Sequence, residues 1–219
     1  MNKQIADLPS GYVQDRFGII RQVSHDKFTY DLDYKQKQAT NSEMAYLRFG
    51  WLCSFFTYEE VKTFDIVDIG SGNGVFVDCC RGKFKSVSPY DLAGETITEE
   101  ELYEKVWDII VMSDVLEHFE EPADLFRLKW RYAMISFPET PDADTFRELS
   151  AWRHFKPNEH LSYFTAESFR KWLQGCTGEV FAVLGVSNFE DFIRVRWDEA
   201  APNITTMMIR RNRYVKLEH

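Results

Sequence analysis

Residues 64–74 read Phe-Asp-Ile-Val-Asp-Ile-Gly-Ser-Gly-Asn-Gly: an apolar run with Asp68 near its end, then glycine at every second position. Gly70, Gly72 and Gly74, interleaved with Ser71 and Asn73, permit a tight turn in which backbone approaches a ligand closely. Asp68 places a carboxylate at the mouth of that turn. The run from Phe64 to Ile69 suits a buried parallel strand, and ligands of open α/β sheets bind outside the carboxyl ends of such strands. The spacing is Gly-x-Gly-x-Gly; Val75 stands where the third glycine of a dinucleotide-binding turn would be.

Two further segments carry candidate chemistry. Phe84 to Tyr90 reads as a second strand ending at Asp91, where a carboxylate can accept two hydrogen bonds from a ribose diol. Trp107 to Phe119 reads Trp-Asp-Ile-Ile-Val-Met-Ser-Asp-Val-Leu-Glu-His-Phe, a buried strand through Met112 followed by Ser113, Asp114, Glu117 and His118. Later, His154-Phe-Lys-Pro-Asn-Glu-His160-Leu-Ser-Tyr163-Phe-Thr brings more imidazoles. A histidine with an ordinary pKa of ~6.5 can act as a general base. His118 and His160 equally suit a packing role that shapes a site.

The glycine turn resembles motif I of the class I S-adenosylmethionine-dependent methyltransferases. Trp107–Phe119, with its Val-Leu-Glu-His, resembles the fourth-strand motif of the same family, in a subfamily like methyltransferase types 11 and 23. The Pro-x-Glu-His-Leu and Tyr-Phe-Thr of residues 157–165 resemble its segment after the fifth strand. The resemblance implies S-adenosylmethionine as cofactor. It implies that Asp68 holds the amino group and that Gly70, Ser71, Gly72, Asn73 and Gly74 approach the amino-acid end. It gives Asp91 the ribose, with Tyr90 or Leu92 on the adenine, and sets Met112, Ser113 and Asp114 along the methyl-transfer channel. Tyr34, in Tyr30-Asp-Leu-Asp-Tyr34, echoes a tyrosine pair that meets the cofactor's carboxylate. His160, His118 and Asp114 are the candidate catalytic residues. The short segment between Asp91 and Trp107 departs from the family, whose third strand here is missing or shrunken. Glu95, Thr96 or Ile97 then covers the adenine.

Composition narrows the partners. A net charge of −9 and a pI near 5.1 argue against a large nucleic-acid footprint, although Arg210, Arg211, Arg213 and Lys216 cluster near the end. Apolar residues at 44% supply a real core. The cysteines, with Cys79 and Cys80 adjacent, make no metal-ligand pattern, and no metal site is expected. No signal peptide and no membrane-spanning apolar run is evident, so a soluble cytoplasmic protein is expected. Leu217-Glu218-His219 resembles a tag remnant.

Around the motifs, strands alternate with short helices. Asn41 to Phe56 reads as a helix, with Met44, Leu47, Trp51, Leu52 and Phe55 on one face. Helices begin at the Thr98 capping box, at Glu121-Pro122 and at Thr165. Tyr132–Phe137, Val180–Val186 and Ile204–Ile209 read as strands, the last two an antiparallel pair closing a seven-stranded sheet. The fold expected is α/β: a Rossmann-like, doubly wound, mostly parallel sheet with an N-terminal helical or irregular lid and an antiparallel last strand. Residues 1–60 form the lid and 61–216 the methyltransferase domain; Asp142–Asn158 is an insertion or lid.

The expected activity is methyl transfer to the oxygen or nitrogen of a small hydroxylated or sugar-like acceptor, with no membrane partner. Alternatives are a methyltransferase acting on RNA or protein, drawing on Arg147, Arg153 and Lys156, a non-catalytic cofactor-binding module, and a nicotinamide-dependent oxidoreductase, which the glycine spacing disfavours. Replacing Asp68 by Ala should weaken S-adenosylmethionine binding by roughly 1.5–3 kcal/mol, the scale of a hydrogen bond to a charged group. Calorimetric titration of the folded variant reads this directly, and unchanged affinity would remove Asp68 from the site.

Overall fold

The computed structural model describes residues 4–29, 40–92, 96–176, 179–194 and 203–212. In chain order its strands are β1 (Tyr12–Gln14), β2 (Ile20–Gln22), β3 (Asp65–Ile69), β4 (Ser86–Tyr90), β5 (Val106–Ser113), β6 (Lys129–Pro138), β7 (Ser162–Tyr163), β8 (Val180–Ser187) and β9 (Ile204–Asn212). The helices are α1 (Ser42–Cys53), α2 (Tyr58–Val61), α3 (Val75–Cys80), α4 (Glu99–Glu104), α5 (Phe146–Ser150), α6 (Ala166–Cys176) and α7 (Asp191–Arg194).

Six strands form the main sheet in the order β4-β3-β5-β6-β9-β8. The first four run parallel, and β9 is antiparallel to both β6 and β8. The antiparallel last strand is as expected. The anticipated seven strands are six among the described residues, with β4 at the edge. After β4, Ile97 donates its N–H to the Pro89 carbonyl at 3.2 Å, and the Thr98–Glu101 capping box starts α4.

Successive strand residues point to opposite faces, and β5 divides its apolar run accordingly. Ile110 and Met112 join Trp107, Phe169 and Trp172 in one cluster; Ile109 and Val111 join Leu52, Phe76, Cys79 and Cys80 in another. Helix layers thus cover both faces, which is why β5 and β6 are continuous hydrophobic runs. Burying each such large side chain contributes about 1.5–3 kcal/mol. Cys79 and Cys80 act as small apolar residues on α3. The helix expected from Glu121 is a single 3₁₀ turn, Pro122–Phe126, because β6 starts at Lys129 and pairs Trp130 with Trp107.

A second, three-stranded sheet joins β1, β2 and β7. Ile5, Ile20, Ala143, Leu149 and Tyr163 make its core, with Tyr12, Phe146 and Phe155 packed against them. The N-terminal segment and the 142–163 segment therefore fold as one cap. The cap is tied to the main sheet where Leu161 donates to the Glu117 carbonyl at 2.7 Å. Among the described residues no helix is long and apolar enough to cross a membrane.

Helix α1 begins at Asn41, whose side chain accepts from the Met44 N–H. Its buried face carries Met44, Ala45 and Leu52, and also Arg48. The Arg48 guanidinium donates to both oxygens of Glu190 at 2.7 and 2.9 Å, and Glu190 has no solvent exposure. Removing one member of such a pair leaves a buried charge and costs about 3–5 kcal/mol. Urea denaturation of Arg48→Met should show a loss of that size, and Arg48→Met with Glu190→Leu should recover only part of it, because Asp68 and Asp114 still lose their cation. A double variant no more stable than the single would contradict this account of the pair.

Candidate active site

A cavity of about 730 Å³ lies over the carboxyl ends of β3, β4 and β5 and beneath the cap. The glycine turn forms its floor. Gly70 and Ser71 donate their N–H groups to the Tyr90 carbonyl at 2.8 and 3.1 Å, and Gly72 donates to Oδ2 of Asp91 at 2.8 Å. The turn and the end of β4 are thereby locked together. Gly70 has φ +72°, and a Cβ there would lie 2.3 Å from a methyl of Val115. Backbone conformation and close packing both require glycine at this position.

Asp68 is buried at the end of β3, and its pKa is pushed up to about 7, first by burial, against the pull of Arg48 and with a push from Asp91. Arg48 also reaches Oδ2 of Asp114 at 3.5 Å. Asp114 sits just beyond β5 with φ +56°, an uncommon conformation for a residue with a side chain, and its N–H donates to the Ser136 carbonyl at 3.0 Å. Such backbone marks positions where the surroundings dictate a side chain's direction.

On the cap side of the cavity stand Glu117, His118 and His160. The two imidazoles meet edge-to-face with ring centres 4.8 Å apart. Nδ1 of His118 lies 2.8 Å from the Glu159 carbonyl. Burial lowers the pKa of His118, opposed by that carbonyl. Burial, then the neighbouring His118 and Lys156, take His160 down to about 3. An imidazole this weakly basic has little power to accept a proton from a hydroxyl.

Of the residues singled out in the sequence, Asp68, Gly70, Ser71, Gly72, Asp91, Leu92, Ser113, Asp114, His118 and His160 line this one cavity. Three do not. Met112 points into the core, because strand alternation gives the cavity wall to Ser113. Asn73 turns away to donate to the Thr40 carbonyl at 2.9 Å, and Gly74, at φ +78°, is spent on starting α3. Tyr34 and Glu95 lie outside the described residues. Ile97 packs against the main core, whereas Leu102 and Tyr103 of α4 line the cavity. Arg48 was missed, although a cation one turn after Met44 on an apolar helix face was its signal. Glu117 stood in the quoted motif without a role.

Comparison with known proteins agrees with this geometry. A family profile described as a methyltransferase domain matches residues 42–176, more than half of the chain. The plantazolicin methyltransferase BamL, solved with S-adenosylhomocysteine and a triazolic desmethyl-plantazolicin analogue, superposes with TM-score 0.51 at 15% identity, over 82% of this chain and 88% of that one. A Listeria monocytogenes protein described as an S-adenosylmethionine-dependent methyltransferase superposes with TM-score 0.51 at 13% identity, over 77% of this chain and 100% of that one. The magnesium protoporphyrin IX methyltransferase of Synechocystis, solved with S-adenosylhomocysteine, matches at 12% identity with TM-score 0.49, over 85% of this chain and 90% of that one. No curated protein matches the chain. The chain belongs to the methyltransferase-domain family, and its cofactor is S-adenosylmethionine. A glycine cradle open to close approach, with two acids beside it, fits that cofactor.

A cationic ligand seated against the buried Asp68 should bind in a pH-dependent way. With its pKa raised from 3.8 to about 7, the folded chain holds a proton that the unfolded chain releases. The associated stability is full below pH 3.8 and is lost as the pH rises through about 7. A cationic amine placed against Asp68 favours the carboxylate, so S-adenosylmethionine affinity should rise between about pH 5.5 and 7.5, by up to tenfold per unit below pH 7. Calorimetry across that range should show the slope in the parent and a flat profile in Asp68→Asn. A parallel slope in the variant would assign the proton elsewhere.

Proposed function

We propose that this methyltransferase acts on a small molecule, placing a methyl group on the oxygen or nitrogen of a hydroxylated or sugar-like acceptor. The observation that carries the reading is the roofed cavity of about 730 Å³, whose walls run from the glycine turn to the cap. That volume falls in the range of small-molecule sites, roughly 300–1,000 Å³. The net charge of −9 also favours a small acceptor over a nucleic-acid backbone.

In this reading Asp68 pairs with the cofactor's ammonium, the backbone of the glycine turn, whose Gly70, Ser71 and Gly72 N–H groups are bonded to Tyr90 and Asp91, lets its amino-acid end approach closely, and Asp91 takes the ribose hydroxyls. Leu92 and Tyr103 are placed to cover the adenine. When bound, the cofactor supplies a methyl carbon already activated by its sulfonium. The chain's own task is then to align the acceptor and exclude water. Ser113 and Asp114 orient the acceptor from the end of β5, while residues 4–29 serve with the 142–163 segment as lid over the transferase domain, to which α1 belongs. The weakly basic His160 and His118 shape the acceptor side instead of accepting its proton.

The test is release of S-adenosylhomocysteine when the protein and S-adenosylmethionine are mixed with fractions of a cell extract. Low-mass metabolites should stimulate release several-fold, and the stimulation should survive ribonuclease and protease. Stimulation confined to the macromolecular fraction, and destroyed by either enzyme, would contradict a small acceptor. No release with any fraction would point to a binding module.

A further inference from the structure

Glu117, His118 and His160 bring one carboxylate and two imidazoles together at the cap side of the cavity. One ligating atom from each lies within 4.8 Å of the others. Nε2 of His118 stands 3.9 Å from Oε1 of Glu117. A carbonyl oxygen only accepts, so the contact from His118 Nδ1 to the Glu159 carbonyl, at 2.8 Å, puts the ring proton on Nδ1. In the neutral ring Nε2 then carries the lone pair, and it is the nitrogen turned toward Glu117. A second nitrogen fixed by a backbone carbonyl is the usual support of a histidine that binds a metal.

The three residues reach this point from different parts of the chain. Glu117 and His118 lie on the 3₁₀ turn Leu116–His118 after β5, and His160 comes from the cap. The Leu161 N–H, bonded to the Glu117 carbonyl at 2.7 Å, holds the two segments in register. Glu117 and His160 are only 1% and 4% exposed, so their positions are set by packing. All three side chains nevertheless line the cavity.

We propose that Glu117, His118 and His160 bind one divalent transition-metal ion, with its remaining positions open to the cavity. Two imidazole nitrogens and one carboxylate oxygen favour manganese, iron, cobalt, nickel or zinc over magnesium or calcium, which take oxygen ligands. Three protein ligands leave coordination sites for small molecules, as in catalytic metal centres. The natural additional ligand is an acceptor hydroxyl: coordination lowers its pKa, its O–H bond breaks and the proton passes to water. This last step rests on the methyl-transfer reading above; the metal site itself does not. The expectation of no metal rested on cysteine spacing, and the donors here are a glutamate and two histidines.

The experiment is titration of metal-stripped protein with cobalt(II) alone, followed by visible absorption. One equivalent should bind saturably and develop the ligand-field bands of a protein-bound ion. Glu117→Ala, His118→Ala and His160→Ala should each weaken binding at least tenfold. If a variant fails to fold by circular dichroism, proton NMR of the cobalt-loaded parent decides instead, with paramagnetically shifted imidazole N–H signals expected. No stoichiometric binding by the parent, equal binding by all three folded variants, or the absence of shifted imidazole signals would overturn the site. Calorimetry with S-adenosylmethionine on the same samples separates the outcomes. Cofactor binding without cobalt binding removes the metal and keeps the methyltransferase reading; cobalt binding without cofactor binding does the reverse.

Discussion

A single buried guanidinium governs the carboxyl end of the sheet. Arg48 enters from α1, grips Glu190 beside α7, reaches Asp114 after β5 and acts on Asp68 at the end of β3. Burial opposes its charge, but Glu190 above all, with Asp114 and Asp68, holds it protonated. At an effective dielectric of about 20, each close pair is worth roughly 4 kcal/mol before desolvation is counted. Without this cation, acids gathered at strand ends would repel one another and the helix over them. With it, Asp68 and Asp114 are kept side by side in the wall of the cavity.

The same economy appears in the roof. The N-terminal segment is too short and polar to bury a core alone, and so is the 142–163 segment. Paired through β2 and β7, and packed around Ile20, Leu149 and Tyr163, they make a shared apolar cluster. That cluster delivers His160 to His118, and Leu161 to the Glu117 carbonyl. The cap is therefore more than a cover: it supplies part of the cavity wall.

Much of this was legible in the residues. Glycine in the left-handed region, an acid ending an apolar run, and Thr-x-x-Glu capping boxes are local signals, and the structure uses them locally at Gly70, Asp68 and Thr98. What escaped was set by distant contacts. Nothing near Arg48 names Glu190, which arrives from the far end of the chain. The pairing of β6 with β5 from Lys129 onward displaced a helix that Pro122 would otherwise have started. Met112 was placed by its motif, whereas strand alternation turns its side chain into the core. The cap needed two segments neither of which shows a periodic pattern.

The central claim is that the cavity over β3, β4 and β5 is a site for S-adenosylmethionine. Calorimetric titration of the protein with S-adenosylmethionine, S-adenosylhomocysteine and NAD tests it most directly. Saturable binding of the first two at one equivalent, with no heat from NAD, is the predicted result. Binding of NAD alone, or of none of the three, would contradict it.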